Sequence, residues 1–107
     1  MLNTEDKTKA VVAALEDIKA TDITVIDTSK LSSLFDRMVI ASATSRRQTK
    51  ALADNVVIKL KEQGEPIIGR EGEDSGEWIL VDLGEVLVHI MQPAIREYYN
   101  LEELWSK

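Results

Sequence analysis

The chain has 107 residues, of which 44% are hydrophobic and 30% are charged, and it contains no cysteine. This composition is typical of a single globular domain, residues 1–107, and it excludes disulfides, catalytic thiolates and zinc–thiolate sites. The formal net charge of −6 argues against nucleic acid as the partner of the whole surface, and no apolar run reaches the roughly 20 residues of a membrane-spanning helix.

The first predicted element is a helix over residues 4–20. Asn3 or Thr4 can cap its start, and its apolar side chains share one face at Val11, Ala14, Leu15 and Ile18. The opening residues lack the basic-then-apolar order of a signal peptide, so we expect a cytoplasmic protein without membrane contact. A short strand over residues 23–26 follows the helix.

A second strand is predicted from Phe35 onward. Its run over residues 38–41 is apolar at every position, which favours burial on both faces of a sheet. The clearest helix comes next, with Ser45 and Gln48 fitting a capping box at its start. Apolar residues recur at every fourth position at Leu52, Val56 and Leu60. Gly64 and the proline after it end this helix.

The last third of the chain predicts a short strand beginning over residues 66–69, a polar loop EGEDSG, a hairpin and two short tail helices. Pro93 suits the first position of the first tail helix, and Asn100 suits a cap for the second. The element order α-β-β-α-β-β-β-α indicates an α/β or α+β fold, with one mixed sheet of about five strands and helices packed on it.

The hairpin GEWILVDLGEVLVHIM turns at residues 82–85, where Gly84 supplies a positive φ. A two-residue loop pairs Trp78 with His89. A three-residue loop with Gly84 in a bulge shifts every pair by one residue, and it suits Leu83 better because it avoids a positive φ there. In both registers one face is uniformly apolar and forms core, whereas the other face mixes apolar and polar residues.

Three interpretations compete for the mixed face. In a structural one, Trp78 packs under the tail helices and His89 hydrogen-bonds to a neighbour. In a catalytic one, Asp82 orients His89 as a base, although no nucleophile is tied to the pair. In a binding one, the face uses the residue types that are enriched at interface hot spots, here Trp78, Met91, Arg96, Tyr98 and Tyr99.

Signals for metal or cofactor chemistry are weak. A metal-dependent nucleotidyl transfer site needs carboxylates at positions i and i+2 of one strand, and neither Asp36 nor Asp82 has such a partner. Glu71 and Glu73 have the spacing but lie in the EGEDSG loop, which favours a solvated acidic loop. We therefore expect no catalytic residue, metal or cofactor.

A basic cluster lies at the start of the second predicted helix, at Arg46, Arg47 and Lys50. Cations are mildly unfavourable at a helix N-terminus because of the helix dipole. Their placement there indicates an anionic partner, while a plain solvated helix end is the simpler interpretation.

Three segments carry a family resemblance: FDRMVIASATSRRQTKALADNV, EGEDSGEWILVDLGEVLVHIM and REYYNLEELW. Together they resemble the Iojap-like family of ribosomal silencing factors over most of residues 35–105. Two positions depart from the family pattern: Ala43 stands where a glycine is frequent, and Pro93 stands where an acid or alanine is frequent.

The resemblance implies a nucleotidyltransferase-like α/β fold without enzymatic activity. Family members bind the large ribosomal subunit through ribosomal protein L-fourteen, block its association with the small subunit, and so repress translation under nutrient limitation. By this analogy the docking surface or its support is built from Trp78, Asp82, His89, Met91, Arg96 and Tyr99. Ribosomal RNA contacts would come from Arg46, Arg47 and Lys50.

By the same analogy the tail is pinned to the domain by Leu101, Leu104 and Trp105. Two alternatives stay open. One is a nucleotidyltransferase-like nucleotide-binding module or enzyme with a degenerate metal site. The other is a homodimer of the free protein that uses the hairpin face as its own interface.

Overall fold

The computed structural model describes residues 2–105 of the protein. Its elements are α1 (Thr4–Asp17), β1 (Thr21–Asp27), β2 (Arg37–Ser42), α2 (Arg46–Glu62), β3 (Gly69–Glu71), β4 (Trp78–Asp82), β5 (Val86–Met91), α3 (Pro93–Tyr99) and α4 (Leu101–Trp105). The strands form one five-stranded sheet in the order β1-β2-β5-β4-β3. Only β2 and β5 pair in parallel in this sheet.

This architecture confirms the predicted single mixed sheet with helices packed on it. The nucleotidyltransferase-like relationship and the single-domain organisation stay predictions. Within residues 2–105, no helix combines the length and the apolar character that a bilayer crossing requires.

The central pair of strands, β2 and β5, is buried on both faces. Residues 38–41 are all buried, as the continuous apolar run predicted. One face of the sheet packs against α1 and α2 and forms the main core. From the strands this core takes Val39, Ala41, Ile79, Val81, Val86, Val88 and Ile90.

The opposite face, which we call the tail face, carries Trp78, Leu80 and Asp82 of β4, Leu87, His89 and Met91 of β5, and Met38 and Ile40 of β2. The tail helices cover part of it. A second core cluster of Met38, Ile40 and Met91 packs there against Ile95, Leu101 and Trp105. Toward the β3 edge the cover ends, and Leu80 and Leu87 remain partly exposed.

The predicted starts of α1 and α2 are confirmed. The Asn3 side chain accepts a hydrogen bond from the Asp6 N–H at 2.8 Å, and the Ser45 side chain accepts one from the Gln48 N–H at 3.1 Å. The Gln48 side chain differs from a standard capping box, because its Oε1 accepts from the N–H of Thr44 at 2.8 Å and not from that of the cap residue Ser45. Its Nε2 donates to the carbonyl of Lys19 at 3.1 Å. Gln48 thereby ties the start of α2 to the turn after α1.

Several predicted boundaries were wrong. The first helix ends at Asp17 because Lys19 has a φ of 63°, which leaves the helical region. The strand predicted to begin over residues 66–69 instead spans Gly69–Glu71. Asn100, by contrast, directly precedes α4 as predicted, and its carbonyl accepts from the Leu104 N–H at 3.4 Å. It is also the left-handed C-cap of α3, and its side-chain Nδ2 donates to Glu103 at 2.6 Å.

The hairpin register also differs from both predicted ones. Trp78 pairs with Met91 and Leu80 pairs with His89, so the connecting residues are Gly84 and its successor. Leu83 is buried in the main core and extends the ladder by donating its N–H to the Val86 carbonyl at 3.0 Å. Gly84, with a φ of 93°, then occupies the first turn position, where hairpin turns favour glycine.

Candidate functional site

The candidate site is the open part of the tail face together with the tail helices beside it. Strand alternation places Trp78, Leu80 and Asp82 on this face because they are two residues apart. The faces of the hairpin are those that the two-residue-loop register predicted, although the individual pairs are shifted.

Trp78 and His89 form a hydrogen-bonded pair at the centre of this site. The indole Nε1–H of Trp78 donates to Nδ1 of His89 at 3.0 Å, as the structural interpretation expected. Burial lowers the pKa of His89 to about 4, because desolvation disfavours the charged imidazolium. The ring is therefore neutral at physiological pH.

Aromatic side chains extend from this pair toward solvent. The Tyr99 ring centroid lies 4.9 Å from that of Trp78, and the Tyr98 ring stands edge-on to Tyr99 at 5.0 Å. Tyr98 is 80% exposed and Tyr99 is 51% exposed. Large aromatic rings left open to water are typical of binding surfaces rather than of a core.

Arg96 holds the tail helices against the sheet. Its guanidinium donates to Glu102 Oε1 at 2.7 Å, the Asp22 carbonyl at 2.6 Å, Ser42 Oγ at 2.8 Å and Thr24 Oγ1 at 3.1 Å. These partners lie on α4, β1 and β2. The side chain is largely buried, and these hydrogen bonds hold in place α3, the helix that carries Tyr98 and Tyr99.

The other candidate residues of the hairpin lie below the surface or at the turn. Met91 is fully buried in the second core cluster. Asp82 accepts a hydrogen bond from the Gly84 N–H at 2.9 Å and so shapes the turn. Trp78 and Tyr99 are thus the candidates with exposed aromatic area, whereas His89, Met91 and Arg96 are largely buried in the free protein. The binding role of all six stays a prediction.

An apolar strip near α4 was missed by the sequence interpretation. A pocket of about 270 Å³ is lined by Leu31, Leu104 and Trp105. Leu34, three residues after Leu31, is 83% exposed. Leu101 and Trp105 pack on the sheet as the resemblance implied, whereas Leu104 is mostly exposed. The sequence signal for this strip was the pair of leucines in the otherwise polar turn segment SKLSSLF.

The basic cluster lies at the Trp78 end of the sheet. Arg46, Arg47 and Lys50 are all exposed. Arg46 donates to the Asp74 carbonyl at 3.0 Å and thereby holds the EGEDSG loop. Arg47 and Lys50 make no ion pair within residues 2–105. The exposed Lys19, whose carbonyl binds Gln48, adds a fourth cation to this corner.

Carboxylates line the other end of the tail face. A depression of about 260 Å³ is bordered by Glu71 and Asp82, with Gly69, Arg70 and Leu80 beside them. The Arg70 guanidinium is already paired with Asp54 at 2.7 Å and with Glu73. The two carboxylates would repel the phosphates of a nucleotide. In the part of the chain that the structure describes, no three His, Cys, Asp or Glu side chains gather as metal ligands would.

Comparisons with known proteins identify a family. A family model described as "Ribosomal silencing factor during starvation", RsfS, matches residues 2–107. A relative named "Ribosomal silencing factor RsfS" from Chromobacterium violaceum is 56% identical over 102 residues, covering 95% of this chain and 84% of that protein. A crystal structure of a protein from the same organism has a TM-score of 0.96 at 55% identity, covering 97% of this chain and 87% of the other.

A more distant relative has a longer chain. A mouse protein named "Mitochondrial assembly of ribosomal large subunit protein 1" is 36% identical over 99 residues. The match covers 90% of this chain but 43% of the mouse protein.

Proposed function

This chain belongs to the family of ribosomal silencing factors, and we propose that it binds the large ribosomal subunit through ribosomal protein L-fourteen and sterically blocks association with the small subunit. In this role it acts in the cytoplasm, represses translation under nutrient limitation and catalyses no reaction. The observation that carries the proposal is the exposed aromatic surface formed by Trp78, Tyr98 and Tyr99 beside the open part of the tail face.

The chemistry of this surface suits a protein partner. Trp78 and Tyr99 bury large areas at a low cost in side-chain entropy, and they are among the residue types enriched at interface hot spots. Arg96 and the Trp78–His89 hydrogen bond hold these rings in place before binding, which reduces the ordering cost of association. Exposed Glu97 and Glu103 flank the tyrosines, and their charge favours a basic partner.

The proposed mechanism is steric and needs no bond chemistry. The domain measures 33 × 32 × 21 Å. A stable interface buries on the order of 800 Å² per partner, which such a domain can supply from one face. Once bound at the surface that meets the small subunit, a body of this thickness keeps the two subunits apart.

The basic cluster extends the proposed contact to ribosomal RNA. Arg46, Arg47 and Lys50 lie at the Trp78 end of the sheet, where the Arg46 side chain donates to the Asp74 carbonyl of the loop that precedes β4. A protein docked by its aromatic surface would then bring these cations toward neighbouring phosphates. Arg47 and Lys50 carry most of this contact, because Arg46 already holds the EGEDSG loop.

Sucrose-gradient sedimentation of purified large and small subunits, with and without the protein, tests the proposal. We expect the wild type to co-sediment with the large subunit and to prevent joining. Trp78→Ala and Tyr99→Ala should do neither while remaining folded by circular dichroism. Ile58→Ala is the matched control, because Ile58 is a 53% exposed apolar residue on α2, across the sheet.

Two results would contradict the proposal. If the wild type stays at the top of the gradient, the proposal that it binds the large subunit is wrong. Mg²⁺-dependent ATP or CTP binding measured by calorimetry would then favour the nucleotide-binding alternative. If Ile58→Ala failed to block subunit joining to the same extent as Tyr99→Ala, the contact would lie elsewhere. Light scattering across concentrations reports whether the free protein is a homodimer that hides this surface.

A further inference from the structure

The imidazole of His89 has one nitrogen that nothing in the described chain satisfies. His89 is 7% exposed, and its Nε2 is buried without a hydrogen-bond partner among residues 2–105. Its other nitrogen, Nδ1, is occupied by Trp78 at 3.0 Å. The unpartnered group lies on the same face as the exposed aromatic surface.

Trp78 determines which nitrogen of His89 carries the proton. An indole N–H can donate a hydrogen bond but cannot accept one, so Nδ1 must present its lone pair to Trp78. In a neutral imidazole the hydrogen then sits on Nε2, which becomes a donor. The Trp78–His89 pair therefore presents a single neutral N–H with a defined orientation.

A buried donor without an acceptor is rare in native proteins. Roughly 90% or more of buried polar groups have a hydrogen-bond partner, and an unsatisfied one destabilises the folded state. His89 pairs across the sheet with Leu80, which is partly exposed where the tail-helix cover ends. A molecule that docks over Leu80 on the tail face therefore lies next to the strand position of His89.

We propose that His89 is a specificity-determining donor of the docking surface, and that its Nε2–H binds a neutral carbonyl oxygen of the docked ribosomal protein. This inference rests on the proposed function. A neutral oxygen is favoured over a carboxylate because Glu71 and Asp82 border the adjacent depression and repel a further negative charge. Arg70 also borders it, but its charge is compensated by Asp54 and Glu73. Because Nε2 is buried in the free protein, the side chains around the ring must shift to admit the oxygen.

Nuclear magnetic resonance of protein labelled with ¹⁵N at histidine tests the tautomer directly, because His89 is the sole histidine of the chain. In the free protein we expect Nε2 to be protonated and Nδ1 to be unprotonated. Addition of purified L-fourteen should move the Nε2–H proton resonance downfield and slow its exchange with water. A free protein protonated at Nδ1 would overturn the inference, as would an Nε2–H resonance that does not move in the complex.

Variants at position 89 measure the contribution of the donor to binding. His89→Leu removes it at similar volume, and we expect affinity for the large subunit to fall roughly 10-fold or more, because the partner's oxygen is left unpaired. His89→Gln keeps an N–H donor near the position of Nε2 and should retain most of the affinity. Both variants are compared with the wild type by circular dichroism and urea unfolding.

The outcomes separate this inference from the function beneath it. If wild type does not bind the large subunit, the proposed function fails and the inference fails with it. If wild type binds and His89→Leu binds equally well, only the inference fails. If the ring gains a second proton in the complex, the acceptor is a carboxylate, and the assignment of a neutral oxygen is overturned.

Discussion

The ammonium group of Lys7 lies 2.6 Å from Glu85 Oε1 and so joins α1 to the turn between β4 and β5. The same nitrogen lies 3.6 Å from Glu65 Oε1 and 3.3 Å from the carbonyl of Leu83. The Lys7 side chain is 4% exposed and that of Glu65 is fully buried. One cation thus compensates a buried carboxylate and anchors the hairpin that carries Trp78 and His89.

Replacing Lys7 should therefore destabilise the fold more than replacing another lysine of the same helix. In Lys7→Met the buried Glu65 carboxylate loses its cation, and we expect the free energy of unfolding to fall by about 3 kcal/mol. Lys9→Met removes the exposed pair with Glu5 and should cost under about 0.5 kcal/mol. Urea unfolding measures both values, and equal losses would mean that the Lys7 cluster contributes no more than a surface pair.

The lowered pKa of His89 makes stability depend on pH in a definite window. The unfolded chain binds a proton near the ordinary pKa of 6.5, whereas folded His89 stays neutral down to about 4. The unfolded state thus binds more protons between these values, so stability falls as pH falls. We expect a loss of about 2 kcal/mol between pH 7 and pH 5.

The variant His89→Gln is the control for this pH dependence. It should flatten the dependence of the unfolding free energy between pH 6.5 and pH 5, since glutamine does not titrate. The hydrogen bond from Lys7 lowers the pKa of Glu85. Protonation of Glu85 therefore changes the unfolding free energy only at more acidic pH. A slope in His89→Gln as steep as in wild type would assign the effect to other groups.

Gly72 and Gly64 share a positive φ but differ in the space around them. Gly72 has a φ of 92°, and a Cβ there would collide with the carbonyl oxygen of Trp78. Gly64 has a φ of 81° and has nothing within 4 Å of such a Cβ. We expect Gly64→Ala to cost about 1 kcal/mol from backbone strain and Gly72→Ala about 2 kcal/mol more, measured by urea unfolding. Equal costs would mean that the collision relaxes freely.

Arg96→Ala should release the tail helices while leaving the rest of the domain intact. The guanidinium joins α3 to α4, β1 and β2, so its loss removes every one of these ties. We expect amide hydrogen exchange to accelerate over residues 93–105, because the free energy of local opening falls there by about 2 kcal/mol. The amides of α2 should stay protected. Arg47→Ala, an exposed substitution, should leave both regions unchanged. Unchanged hydrogen exchange over the tail helices of Arg96→Ala would show that the Arg96 side chain does not hold them to the sheet.

The basic cluster should make large-subunit binding depend on salt. If Arg47 and Lys50 contact phosphates, affinity falls as salt rises, and each charge removed lowers the logarithmic slope by roughly 0.7–0.9. Arg47→Gln and Lys50→Gln should both show this reduction. Lys61→Gln, at the other end of α2, is the matched control and should keep the wild-type slope. A salt-independent affinity of the wild type would rule out the RNA contact.

Local sequence patterns were sufficient for the parts of the fold that depend on neighbouring residues. The caps Asn3 and Ser45, the first helical position at Pro93 and the two-sided burial of residues 38–41 were all predicted correctly. These features follow from hydrogen bonds within one turn and from the periodicity of apolar residues along one element.

Tertiary structure decided the features that join distant parts of the chain. The hairpin register depends on Leu83 packing into the main core, and the role of Arg96 depends on partners up to 74 positions away in sequence. Local pattern cannot report such contacts, because they arise only when the strand order β1-β2-β5-β4-β3 brings the elements together. The sequence by itself therefore determined the elements, the composition of the tail face and the family resemblance. Packing across the sheet decided which side chains of the tail face are exposed to solvent and which are buried beneath them.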